Sequence, residues 1–380
     1  MPDGPAAQPP ARPPDEQPTD PRAEPLVLDA AEREATGWFD LARVLAILAV
    51  VVVHETSGTV GARDAGDPAT ATWWTANLLD SAARWCVPVF LMVSGALLLD
   101  PRRTDRPRDF YRRRLGRVGV PLVVWTAIYL AFRALYLGDD LDAGQAARDV
   151  AAGTPFLQLY FLYVLVVLYL LTPFLRLVVR HATHRMQGAF AGVLLGLGAV
   201  DLVLASFLDV GGASAATRFL PYAGYFTLGW MLRDVALTRR QVRFAALAFA
   251  CSVCATAGLV AVTAIGAGWG SPGRYIYGYL SPTVVVMSVA AFVLLRAWGL
   301  RNPPGSRFAP GRRTAALSAL TFGVYLVHPL FLYPLRRLWP APQAWFGFVG
   351  VTLAHLALTV AGSLVLTWVI LRIPVLRRAI

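Results

Sequence analysis

WFDLARVLAILAVVVVHETS, residues 38–57, is the stretch whose reading decides the fold. It is almost entirely apolar, and about twenty such residues form one helix across a bilayer. Yet Asp40 and Arg43 stand at one end and His54 at the other. Ionisable groups in hydrocarbon are costly, so their presence points to function. Arg43 and His54 are eleven positions apart. At roughly 100° per residue they share one helix face, and at about 1.5 Å per residue they stand roughly 16 Å apart. They cannot touch, but they can line one polar seam. The alternative reading is structural: Arg43 snorkels to the interface with Asp40 as its i,i+3 partner, and His54 is an interfacial packing residue.

Working outward, the 380-residue chain is 56% hydrophobic, with mean hydropathy +0.53. That is too apolar for an ordinary soluble domain. About ten apolar spans follow one another, near residues 38–57, 74–99, 118–137, 156–179, 188–208, 219–232, 244–265, 276–298, 316–335 and 346–373, the sixth being short. The expected fold is an all-α integral membrane protein with about ten transmembrane helices. Residues 1–37, rich in proline, alanine and charge, read as a disordered tail, 38–375 as the membrane domain and 376–380 as a short basic end. No short apolar region and cleavage site follow a basic start, so residues 1–37 do not read as a signal peptide.

The net charge of +12 comes almost wholly from arginine. Because the arginines cluster between apolar spans, topology explains them better than nucleic acid does. Loops after even-numbered spans are basic, as in Arg102, Arg103, Arg106 and Arg108. Loops after odd spans are poor in basic residues or acidic, as in Asp139, Asp140 and Asp142, with Arg336 and Arg337 as the exception. This pattern predicts cytoplasmic termini in a multi-pass plasma-membrane protein, with Arg43 in the inner half of its helix and His54 towards the outer half. Cys251 and Cys254 have a metal-ligand spacing, but no second cysteine or histidine cluster accompanies them. They read as helix-packing residues, and no metal is expected.

Further along, Val87-Pro-Val-Phe-Leu-Met-Val-Ser-Gly95 implies a kinked helix in which Ser94 and Gly95 admit a close neighbour. Arg84, before it, reads as facing the lipid headgroups. Arg114 and Arg117 are i,i+3 and suit a bidentate phosphate grip, although on the residues alone positive-inside charge or binding to anionic lipid headgroups is the favoured reading. Tyr160, Tyr163 and Tyr169 read as interfacial aromatics. Tyr325 can share a face with His328, a second histidine within an apolar span. No role is read into His181, His184 or His355.

Taken in order, these pieces resemble the acyltransferase-3 family of integral membrane O-acyltransferases. The family's arginine, ten residues, then histidine matches Arg43 and His54, and its second-helix signature matches residues 87–95. Its arginine-x-x-arginine matches Arg114 and Arg117, and its tyrosine–leucine–x–histidine element matches Tyr325 to His328. The resemblance covers residues 38–375 and implies an acyl-CoA donor, usually acetyl-CoA, and a hydroxyl acceptor on an envelope glycan or related molecule. Arg114 and Arg117 would then hold the donor's phosphates, and its pantetheine arm would enter beside Arg43, a catalytic residue together with His54. His54 would act as general base or form an acyl-histidine, and Ser94, Tyr163, Tyr325 and His328 would position groups or stabilise an oxyanion. A glycan transporter without acyl transfer is the rival class; it has no need of a CoA-phosphate site.

Overall fold

The computed structural model describes residues 37–61, 70–103, 106–208, 210, 218–266, 270–303, 306–307 and 309–380. The expected tail, apart from Gly37, lies outside these residues. Among them the chain is all-helical, and nine helical segments are long and apolar enough to cross a membrane.

The first of these is α1 (Gly37–Gly61), one unbroken helix containing the whole opening stretch. The expected second span is instead two helices, α2 (Ala71–Ala83) and α3 (Cys86–Leu98), parted at Arg84 and Trp85. Pro88 supplies the reason: it has no N–H to give to the carbonyl four residues earlier, that of Arg84. Helix α4 (Pro107–Phe132) runs into a π-turn over Arg133–Leu137, and a short helix α5 (Ala143–Ala151) follows. Then come α6 (Tyr160–His181) and α7 (His184–Phe207).

The sixth expected span is a half-length helix, α8 (Ala223–Leu232), entered through a 3-10 turn at Leu220–Tyr222. It is buried rather than lipid-facing. Two glycines explain how it fits: a side chain at Gly95 would collide with the backbone of Phe226, and one at Gly229 with the backbone of Met92. Small residues thus let α3 and α8 pack backbone to backbone. At its far end the Arg233 guanidinium donates to the Ala96 carbonyl at 2.8 Å and lies 3.8 Å from Asp100.

The remaining helices are α9 (Arg239–Gly266), α10 (Gly270–Ile276), α11 (Pro282–Arg301), α12 (Arg312–Leu338) and α13 (Trp345–Arg372). Helix α12 packs on both α1 and α13, which brings the two histidine-bearing spans together. Two readings need correction. Cys251 and Cys254 are exposed on α9, so they are not the packing residues their spacing suggested. Arg84 does not face headgroups; it pairs with the fully buried Asp80 at 2.5 Å and lies 4.0 Å above the Tyr277 ring.

Candidate active site

One end of the bundle holds a cavity of about 1260 Å³. It is bounded by the start of α1, the ends of α3 and α11, and the first halves of α4, α6 and α12. These elements deliver five arginines to one space: Arg43, Arg103, Arg114, Arg117 and Arg312. Among the described residues Asp40 is the one carboxylate in its lining. Asp40 accepts from Arg43 at 3.2 Å and from the Ser318 hydroxyl at 2.7 Å, so the i,i+3 pairing read from the sequence is present and tied to α12. Like charges converge here, and a bound polyanion would be favoured among them. Ser94 also lines the cavity, with its hydroxyl donating to the Phe90 carbonyl at 2.8 Å and its lone pairs left to accept.

At the inner wall stands Tyr325, whose hydroxyl donates to the Gln158 carbonyl. One turn farther along α12 comes His328, fully buried. Its ring centroid lies 5.0 Å from that of His54. The surroundings assign the tautomer. Nδ1 of His328 lies 2.8 Å from the Tyr325 carbonyl and 3.3 Å from the Val324 carbonyl. A carbonyl only accepts, so Nδ1 carries the proton and Nε2 carries the lone pair. That Nε2 is buried with no hydrogen-bond partner, a basic nitrogen held ready beside a second imidazole.

The structure therefore brings Arg43, Ser94, Arg114, Arg117 and Tyr325 into one cavity, and His54 and His328 together beyond its wall. Tyr163 joins neither group: it lines no cavity described here and packs against Phe219, ring centroids 6.3 Å apart.

Other contributors were missed in the sequence. Arg103 and Arg312 were absorbed into the loop-charge pattern, and Tyr169 into the interfacial aromatics, yet all three line the cavity. Glu55, the neighbour of His54, is buried between two helices. Its carboxylate accepts from Arg336 Nε at 3.0 Å and meets His355 Nδ1 at 2.9 Å. Arg336 also donates to the His54 carbonyl at 2.7 Å and to the Glu55 carbonyl. The signal was present: Arg336 broke the loop-charge rule, and it does so because it belongs to this buried network.

Fold and site together define a multi-pass helical membrane protein with a basic cavity lined by Tyr325, one turn before His328 and its neighbour His54. The sequence model of the acyltransferase-3 family, described as an acyltransferase domain, matches residues 36–371, and the chain belongs to that family. It is a membrane O-acyltransferase. Comparison with curated proteins and with solved structures gave no match.

Proposed function

We propose that the protein moves an acyl group, acetyl in the simplest case, from acyl-CoA to a hydroxyl of an envelope glycan. The observation that carries this reading is the five-arginine cavity leading to Tyr325, one turn from the His54–His328 pair. A CoA ester is a polyanion at one end and a thin neutral thioester at the other, and the cavity's polarity follows the same order. Arg114 and Arg117, one turn apart on α4, grip phosphate oxygens, with Arg103 and Arg312 adding charge from the adjoining loop and helix. Arg43, tempered by Asp40, lies deeper on the α1 seam that continues to His54.

His54 acts as the general base. It takes the acceptor's hydroxyl proton as the oxygen attacks the thioester carbon, and the CoA thiolate departs. His328 serves it as an orienting group: in the reacting complex its Nε2 lone pair, unpartnered in the structure, receives the N–H of His54 and leaves the other nitrogen of His54 free for the incoming proton. Its own Nδ1–H, fixed on two carbonyls, keeps His328 from rotating out of this role. The basic loops support a donor cavity on the cytoplasmic face of the plasma membrane, with both termini on that side.

The test is transfer of radiolabel from acetyl-CoA by the purified protein to glycans extracted from the cell envelope. Label in the glycan, and competition by unlabelled CoA, are the expected results. Glycan binding or movement without label transfer would favour the transporter class.

A further inference from the structure

A second cavity, of about 570 Å³, opens at the other end of the bundle. It is enclosed by the end of α4, the segment before α6, the end of α7 and the loop before α11. Its size falls in the range of small-molecule sites. Its walls are four tyrosines and two phenylalanines: Tyr160, Tyr222, Tyr277, Tyr279, Phe156 and Phe219. Tyr160 and Tyr279 lie nearly parallel, 6.2 Å apart. Among these rings stand three carboxylates, Asp139, Asp149 and Asp201, and two guanidiniums, Arg133 and Arg218. Arg133 is committed to the wall itself, bonding Asp139 at 2.8 Å and Asp149 at 2.7 Å. Asp201 and Arg218 form no ion pair among the described residues.

The two cavities share a wall. Residues Phe156, Leu157 and Tyr160 line the second, and between them Gln158 gives its carbonyl to Tyr325, which lines the first. The Gln158 side chain is fully buried, yet neither its amide nitrogen nor its amide oxygen has a partner. The Tyr160 hydroxyl is likewise buried and unpartnered. Buried polar groups are normally satisfied, and each exception asks for a reason. An unmet donor and acceptor thus stand in the partition between the two cavities, beside the histidine-bearing α12.

We propose that the second cavity binds a pyranose ring of the hydroxyl acceptor, an inference that rests on the acyl-transfer reading above. The C–H faces of such a ring are apolar and its rim is all hydroxyl. Tyrosine faces take the first, while Asp201 accepts from and Arg218 donates to the second. An acyl chain would offer no hydrogen-bond partner to Asp201 or Arg218, both exposed at the cavity. A second phosphate group would meet carboxylates that outnumber guanidiniums three to two.

The experiment uses the full chain with Cys251→Ser and Cys254→Ser, leaving only the buried Cys86, and adds Ala205→Cys on the cavity wall, where the native residue is exposed. Labelling by a maleimide is timed with maltose, with diacetylchitobiose, with CoA and with lysophospholipid. A sugar slows labelling by the factor 1 + [L]/Kd, about tenfold at roughly ten times its Kd. CoA does not slow it, and Asp201→Asn weakens the sugar's protection about tenfold or more, the worth of a charge-assisted hydrogen bond. No protection by either sugar, or protection by the lipid alone, overturns the assignment. Protection without any acetyl transfer leaves this cavity a sugar site and overturns the acyl-transfer reading instead.

Discussion

Arg114 and Arg117 illustrate how far one residue type can be read. As sequence they were two arginines in a run, better suited to topology or lipid headgroups than to phosphate. The fold decides their placement by turning the first part of α4 towards the start of α1, so that both line the Arg43 cavity. Replacing either with alanine is expected to raise the apparent KM for acetyl-CoA about 10- to 100-fold, the worth of one charge-assisted contact, with kcat little changed. Lysine restores part of the loss, since it keeps charge without the planar fork. A donor KM that does not move in a normally inserted variant would return both arginines to a purely topological role. His54 and His328 were each legible as buried-looking histidines. Their meeting was not, because it depends on how α1 and α12 lie against each other, which no periodicity records.

At the scale of elements, the α1–α12 register is pinned by Glu55 and Arg336. Each lies on the same helix as one histidine: Glu55 adjoins His54, and Arg336 follows His328 by two turns. His355 ties the third helix, α13, to the same carboxylate. Glu55→Gln removes the ion pair but keeps the shape. It is expected to lower kcat about 10- to 100-fold through small misplacement of the histidine pair, while donor KM stays constant because the arginine cavity is untouched. Steady-state kinetics at varied acetyl-CoA checks this; an unchanged kcat would show that packing alone sets the register.

On the other side of the bundle, Arg133 bonds Asp139, Asp149 and the Pro155 carbonyl, closing the loop that carries α5. Its hydrogen bond holds the Asp149 carboxyl below the usual carboxylate range. A depressed folded pKa contributes stability above the unfolded value and loses it as pH falls through the folded one. The loop is therefore expected to stay closed at neutral pH and to loosen only below about pH 4. Proteolysis within residues 139–155 as pH is lowered follows this directly: cleavage that rises already between pH 7 and 5 would contradict it.

Over the whole molecule, the all-helical class and most spans were legible because long apolar runs admit few other structures. Two departures have local causes. Pro88 splits the second span, and the glycine pair Gly95 and Gly229 lets a half-length helix sit inside the bundle. The second cavity was not legible at all: its walls come from five separated segments, and of its aromatics only Tyr160 drew notice, as an interfacial anchor. Orientation is tested by single cysteines at Gly144 and Gly311 in a chain lacking Cys251 and Cys254. An impermeant reagent applied outside intact cells is expected to label the first and not the second. The reverse pattern would place the arginine cavity on the wrong side for a cytoplasmic donor.

The central claim is that His54, oriented by His328, is the base of an acyl transfer fed by the arginine cavity. The most direct measurement is transfer of radiolabelled acetyl from acetyl-CoA to an envelope glycan by wild type, His54→Ala and His328→Ala at equal expression, with CoA binding measured in parallel. His54→Ala is expected to lose about 10²- to 10⁴-fold in kcat, the contribution of a general base, and to bind CoA normally. His328→Ala is expected to lose less and to show a shifted pH profile, because His54 then keeps its lone pair but not its orientation. Full activity in His54→Ala would contradict the account, and abolished transfer in His328→Ala alone would move the base to the neighbouring helix.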